Sequence, residues 1–167
     1  MAKCVFAGTF DPVTVGHLEI IEKCAKDYQQ VLVVIGKNDK KDCLLTEKER
    51  LQLTKKAFEH NSKIKVVLYS DYLDKYADFL KENGYTVYVR GIRNQTDLDF
   101  EKQMEQLNQK RYPFIKTEYV WASDEYKTVS STLVKGLITE KKEYLKYIPS
   151  QCHTLLESIL QDKQVKN

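Results

Sequence analysis

Five short apolar runs, each followed by a segment with helical apolar spacing, constrain this chain more than any other feature. The runs are Cys4-Val5-Phe6, Val31 to Ile35, Ile64 to Leu68, Thr86 to Val89 and Thr117 to Trp121. Val31-Leu32-Val33-Val34-Ile35 is apolar throughout rather than alternating, as expected of a strand covered on both faces. The segments between carry helical stripes: Leu18, Ile21, Ala25 and Tyr28; Leu51, Thr54, Ala57 and Phe58; Leu73, Tyr76, Ala77 and Leu80; Phe100, Met104 and Leu107. Every connection is long enough for a crossover helix, which implies parallel strands. The predicted fold is therefore α/β: a doubly wound five-stranded parallel sheet followed by C-terminal helices.

Local signals place the helix ends. Thr46 and Glu49 have the capping-box spacing, Ser70-Asp71 reads as a cap, and Asn83-Gly84 as a helix stop. A long helix is expected from about residue 96 to 110. Another should start at Ser130 and carry Leu133, Val134, Leu137 and Ile138 inward. Tyr144-Leu145 and Leu155-Leu156-Ile159-Leu160 suggest one or two more helices, with 161–167 frayed. No linker or repeat interrupts the 167 residues, so a single domain over 1–167 is expected.

In such sheets ligands bind beyond the carboxyl ends of the strands, and the loops predicted there share one chemistry. The first, Ala7 to His17, packs Gly8, Thr9, Thr14 and Gly16 before a histidine at the helix start. Backbone N–H groups at a helix N-terminus favour anions, and glycines permit close approach. The second loop carries Lys40 and Lys41. The fourth carries Arg90 and Arg93, a fork suited to phosphate oxygens, and the last carries Ser130-Ser131-Thr132 at a helix start. Taken singly, the lysines read as a solvated loop, Ser130 as an ordinary N-cap and the arginines as a surface ion-paired couple. Their convergence on one sheet edge argues for a phosphate-bearing ligand. Asp11 reads as structural, orienting the first loop.

Composition narrows the partners. A net charge of +3 is too mild to imply a nucleic-acid polymer, and suits small anionic substrates held at a local basic site. No apolar run approaches the roughly 18 residues of a spanning helix, so no membrane partner is expected. Met1-Ala2-Lys3 enters the first strand at once, leaving no room for a targeting peptide, and the expected location is the cytosol. Cys4, Cys24, Cys43 and Cys152 match neither zinc-site nor disulfide spacing and read as free thiols. With His60 and His153 lacking ligand partners in sequence, no metal site built from protein side chains is expected. Neither G-x-x-x-x-G-K-[ST] nor G-x-G-x-x-G occurs, which excludes P-loop and ordinary dinucleotide binders.

Thr14-Val15-Gly16-His17 is a T-x-G-H sequence, and with a late Ser/Thr run it resembles the nucleotidyltransferase superfamily related to class I aminoacyl-tRNA synthetases. Within it, Gly8-Thr9-Phe10-Asp11-Pro12, Arg90-Gly91-Ile92-Arg93-Asn94 with Asp97 and Glu101, and Val129-Ser130-Ser131-Thr132-Leu133-Val134-Lys135 resemble the three blocks of the phosphopantetheine adenylyltransferase family. The likeness runs from about Phe6 to Pro149. It implies ATP and 4′-phosphopantetheine as substrates, dephospho-coenzyme A and pyrophosphate as products, and Mg²⁺ carried on the ATP phosphates. The reaction it implies is in-line attack without a covalent intermediate, which suits a chain showing no Cys/His or Ser/His/Asp arrangement.

Carried over, the resemblance makes His17 the transition-state stabiliser, with Lys41 and Arg90 also catalytic. Thr9, Lys41, Leu73 and Arg90 would bind phosphopantetheine. ATP would be met by Thr9, Phe10, His17, Gly91, Ile92, Arg93 and Glu101, and by Tyr126, Lys127, Thr128, Val129, Ser130, Ser131 and Thr132. A homohexamer is also implied. The chain departs from the family pattern at Ala7, Asp42-Cys43, Tyr126 and Gly136, positions that bear on pantetheine recognition more than on ATP. Two alternatives stay open: another small-molecule nucleotidyltransferase, using CTP with an alcohol phosphate or ATP with a mononucleotide, and a non-catalytic nucleotide-binding protein.

Overall fold

A computed structural model describes residues 1–37 and 42–166. The five runs form strands β1 (Lys3–Gly8), β2 (Gln30–Ile35), β3 (Ile64–Leu68), β4 (Tyr85–Ile92) and β5 (Lys116–Trp121). All pair in parallel in the order β3-β2-β1-β4-β5. Strand order therefore reverses between β1 and β4, where a doubly wound sheet opens a crevice at its carboxyl edge. The helices are α1 (Val15–Asp27), α2 (Glu47–Phe58), α3 (Tyr76–Glu82), α4 (Gln95–Arg111), α5 (Ser131–Thr139) and α6 (His153–Lys166).

The unbroken apolarity of β2 has the expected cause, because both of its faces are covered. Val31, Val33 and Ile35 join a core with Ile21, Cys24, Leu53, Phe58, Val134 and Leu156, from α1, α2, α5 and α6. Leu32 and Val34 join a second core with Tyr76, Leu80, Tyr88 and Ile115. The second core is smaller and rich in tyrosine. Cys4, Cys24 and Cys152 are buried free thiols, and Cys43 is a half-buried one.

Several expectations needed correction. On α1 the buried residues are Ile20, Ile21, Cys24 and Ala25, while Leu18 and Tyr28 are half-buried. On α2 the inward face adds Arg50 and Leu53. Ser70-Asp71 caps nothing: short 3₁₀ turns at Tyr69–Asp71 and Leu73–Lys75 precede α3, and Leu73 is 53% exposed at φ +46°. On α5 only Val134 is buried. The largest change is α4, which buries no residue at all. Phe100, Met104 and Leu107 were expected inward and are 58%, 36% and 58% exposed. The stripe exists, but the chain's own sheet does not cover it. The tail expected to fray is helical through Lys166, with Lys163 Nζ 2.9 Å from Glu49 Oε2.

The other capping signals read from the sequence hold. Thr46 and Glu49 form the reciprocal box on α2, and Gly84 takes φ +76° after α3, a conformation that favours glycine. Among the described residues no helix is long and apolar enough to cross a membrane.

Candidate active site

The crevice between β1 and β4 holds a cleft of about 370 Å³. Its floor is the first loop, its walls are the β4 end and α4, and its far side is the segment entering α5. Two hydrogen bonds hold that segment against the first loop and α1: Ser131 Oγ donates to Pro12 O at 2.8 Å, and Ser123 N to Glu19 Oε2 at 3.3 Å. The larger cavity, about 850 Å³ between α5, α6 and Cys43-Leu44, is lined by none of the expected site residues.

The T-x-G-H sequence has a structural meaning here. Thr14 is the N-cap of α1 and His17 its third residue, and the two form a capping box with histidine where Glu or Gln is usual. Thr14 N donates to His17 Nδ1 at 3.0 Å, and His17 N donates to Thr14 Oγ1 at 3.4 Å. Since Nδ1 accepts, the neutral ring carries its proton on Nε2. Burial lowers the pKa to about 4, with the nearby Arg93 charge acting in the same direction. At neutral pH His17 is therefore an oriented, uncharged N–H donor lining the cleft.

The R-G-I-R-N block also resolves into geometry. Asn94 caps α4, accepting from Asp97 N at 2.9 Å. Asp97 and Glu101 lie one helical turn apart and face β4. Glu101 takes Arg90 in a bidentate pair at 2.8 and 2.9 Å, and Arg90 Nη1 also donates to Ala7 O at 3.2 Å. Asp97 takes Arg93 through Nε at 3.0 Å and Nη2 at 3.4 Å. Both guanidiniums are fixed in place, with N–H donors left over for a ligand. Arg90 lies in β4 itself rather than in the loop after it.

Of the helix N-termini at this cleft, those of α1 and α5 carry no acidic residue in the first turn. By contrast α2 carries Glu47 and Glu49 there, and α4 carries Asp97. The positive ends of α1 and α5 are thus left uncompensated by side chains, which suits an anion.

Of the residues expected at ATP, Thr9, Phe10, His17, Gly91, Arg93, Glu101, Tyr126, Val129, Ser130, Ser131 and Thr132 line this one cleft. Phe10 is only 1% exposed, its ring against Phe6 and His17. Gly8 permits that packing, since a Cβ there would stand 3.1 Å from Phe10 Cε2. Three residues do not reach the cleft. Ile92 is wholly buried, Lys127 pairs outside with Asp124 at 2.7 Å, and Thr128 is exposed elsewhere. Leu73 lies off both clefts described here, and Lys40 and Lys41 fall outside the described residues.

A second cleft of about 250 Å³ opens on the opposite side of Arg90 and shares Ala7, Arg90 and Glu101 with the first. Its lining is largely aromatic, with Tyr69, Tyr76, Tyr88, Tyr112 and Phe100 beside Met104, and Asn108 and Arg111 add polar groups to it. The Tyr76 and Tyr88 hydroxyls meet at 2.7 Å in its wall, and burial pushes the Tyr88 pKa up to about 12. The exposed stripe of α4 thus has a use, because two of its three residues line this cleft.

Sequence reasoning assigned nothing to Arg50. It lies at the head of the buried face that Leu53, Thr54 and Ala57 continue, a charged residue on an apolar stripe, and that is the signal that could have found it. Asp11, read as structural, is 1% exposed and accepts from Leu44 N at 2.8 Å and Leu45 N at 2.9 Å, with Lys135 Nζ at 3.4 Å.

The cytidylyltransferase-like family model matches residues 5–137. A phosphopantetheine adenylyltransferase of Thermotoga neapolitana is 33% identical over 161 residues, 96% of this chain and 98% of the relative. One from Lactobacillus johnsonii is 32% identical over 163 residues, covering 98% and 97%. One from Actinobacillus pleuropneumoniae is 34% identical over 146 residues, covering 87% and 90%.

Proposed function

The chain belongs to the cytidylyltransferase-like family and, within it, to the phosphopantetheine adenylyltransferases, and from that premise we propose that it transfers the adenylyl group of ATP to 4′-phosphopantetheine. The observation that carries this reading is the pair of clefts meeting at Arg90 and Glu101. One is lined by helix N-termini, hydroxyls and His17, and suits a nucleotide triphosphate. The other is smaller and largely aromatic with Asn108 and Arg111 in its lining, and suits an extended arm that mixes apolar and amide groups. A phosphate at the end of that arm would lie at Arg90, facing the nucleotide.

In this scheme an oxygen of the 4′-phosphate attacks the α-phosphorus of ATP. The bond from that phosphorus to the bridging oxygen of the β-phosphate breaks, and pyrophosphate leaves. The attacking oxygen is already anionic, so no general base is required. A neutral His17 with a pKa of about 4 is poorly matched to shuttling protons at pH 7 and well matched to donating Nε2–H to the developing charge. Arg90 and Arg93 hold substrate phosphates, the family resemblance assigns Lys41 to the phosphopantetheine phosphate, and Thr9 stands where the substrates join.

Mg²⁺ belongs to the proposal as a companion of the nucleotide. The carboxylates lining the cleft, Asp97 and Glu101, are engaged by Arg93 and Arg90, so the donor set fits an ion held on phosphate oxygens. Its chemistry there is neutralisation of polyphosphate charge. We also propose a cytosolic location and a homohexamer. The exposed Trp121 gives an assembly apolar surface to cover, and a purely monomeric sedimentation profile would remove the hexamer.

The deciding assay offers each nucleoside triphosphate with Mg²⁺ and 4′-phosphopantetheine and measures pyrophosphate. Release with ATP alone is expected. Inactivity with ATP, together with product from CTP and glycerol 3-phosphate, would overturn the reading in favour of a different nucleotidyl transfer.

A further inference from the structure

Arg50 is the buried charge that the proposed chemistry leaves unexplained. It is 3% exposed on the inward face of α2, and no carboxylate bonds it among the described residues. Its guanidinium donates instead to three main-chain carbonyls from three segments. Nη1 reaches Thr9 O at 2.8 Å and Gly36 O at 3.0 Å, and Nε reaches Leu45 O at 3.3 Å. A planar fork of fixed donors can hold several carbonyls at once, which a lysine ammonium does less well.

The bond to Thr9 acts on the other side of the peptide. In a trans peptide the carbonyl and the following N–H point in opposite directions. The cis bond of this loop is Asp11–Pro12, so Thr9–Phe10 is trans. Arg50 draws the Thr9 carbonyl back toward α2, and the Phe10 N–H therefore points away from α2. Thr9 and Phe10 line the nucleotide cleft, whereas Arg50 does not. Among the described residues nothing accepts that N–H. Phe10 also sits at φ +53°, a conformation a non-glycine residue keeps only when its surroundings hold it. Its ring is held by Phe6 and His17, and the preceding carbonyl by Arg50.

We propose that Arg50 is a positioning residue of the anion site, fixing the Thr9–Phe10 peptide so that the Phe10 N–H stands ready to donate to a phosphate oxygen. A cation on the carbonyl also polarises the peptide and strengthens the N–H as a donor. The same guanidinium ties the ends of β1 and β2 to the entry of α2 through Gly36 and Leu45. Only the kinetic part of this inference rests on the proposed adenylyl transfer.

Thr9–Phe10 is the one Thr-Phe step in the sequence. Labelling threonine with ¹³C at the carbonyl and phenylalanine with ¹⁵N therefore isolates this peptide as a single NMR cross-peak. Inorganic pyrophosphate should shift that peak in the wild-type protein. Arg50→Lys should move its carbonyl frequency and weaken the response to pyrophosphate. In the assay Arg50→Lys should lower kcat by about 10²-fold, the scale of an ångström of misplacement, with a much smaller rise in the KM for ATP. A wild-type peak indifferent to saturating pyrophosphate would overturn the inference, even if the variant failed to fold. So would a folded Arg50→Lys protein with an unchanged carbonyl frequency and unchanged kcat. The NMR measurements need no phosphopantetheine and no turnover, so they fail separately from the proposed reaction.

Discussion

Replacing His17 with alanine removes one N–H donor from a site that is otherwise held by separate interactions. The Thr14 side chain would still cap α1 through its hydroxyl, and Arg93 would remain fixed by Asp97. The loss is therefore concentrated on the hydrogen bond from Nε2 to the charge that develops during transfer. Removing one such preorganised donor costs about 3–4 kcal/mol, so kcat should fall by about 10²–10³-fold while ATP affinity changes by only a few-fold. Pyrophosphate release under saturating ATP and 4′-phosphopantetheine measures the first, and equilibrium ATP binding the second. The wild-type pH profile supplies an independent check. With a pKa of about 4, His17 stays neutral from pH 6 to 8 and should contribute no ionisation to the rate there. The stability consequence follows the same sign. Below the ordinary histidine value the unfolded chain takes up a proton that folded His17 refuses, so stability falls as pH drops from 6.5 toward 4. The full displacement corresponds to about 3 kcal/mol. The ring is half-buried and partly screened, so about 2 kcal/mol is expected by pH 4. A kcat within a few-fold of wild type in His17→Ala would reduce His17 to a capping residue. A histidine titrating near 6.5 by NMR and assigned to His17 through the same variant would refute the neutral-donor argument.

Three further outcomes are expected. Lys41→Ala should raise the KM for 4′-phosphopantetheine by at least tenfold more than that for ATP; equal losses would contradict its proposed role. Asp11→Ala strips a buried carboxylate from Leu44 N, Leu45 N and Lys135, and should lower unfolding free energy by about 2–4 kcal/mol in urea titrations. Leu53→Ala should cost about 2–5 kcal/mol, because its side chain is 1% exposed, whereas Leu107→Ala at 58% exposure should cost under about 0.5 kcal/mol. Equal losses at the two leucines, compared by chemical denaturation, would mean that α4 is covered in solution.

The strands were the most legible part of the chain. A β-branched run such as Val31 to Ile35 buries both faces at once, and no competing local signal exists. The capping boxes were legible for a related reason, since a cap depends on residues within one turn of each other. Thr46 and Glu49 were found by pattern alone. Thr14 and His17 obey the same geometry, yet the histidine hid it, because a box is sought by its Glu or Gln. Tertiary decisions were not legible. Leu73 has the right spacing for the α3 stripe, but two 3₁₀ turns intervene and leave it exposed. Arg50 interrupts an apolar stripe, but only the tertiary structure brings to it the three carbonyls that explain the interruption.

The bland and functional readings of the site residues are not exclusive. Ser130 is an ordinary N-cap, with its hydroxyl taken by Leu133 N, and Arg90 and Arg93 are an ion-paired couple, as a structural reading would have them. Those interactions are what make the residues useful. A guanidinium locked by Asp97 or Glu101 loses little side-chain entropy when a phosphate arrives, and a capped helix start presents its N–H groups in fixed directions. The same reasoning applies to α4. Its inner edge supplies the two carboxylates, while Phe100 and Met104, from the stripe its own sheet leaves uncovered, line the second cleft. Periodicity finds such a stripe without saying whether protein or ligand will cover it. An amphipathic helix that buries nothing in its own fold is thus a marker of the site.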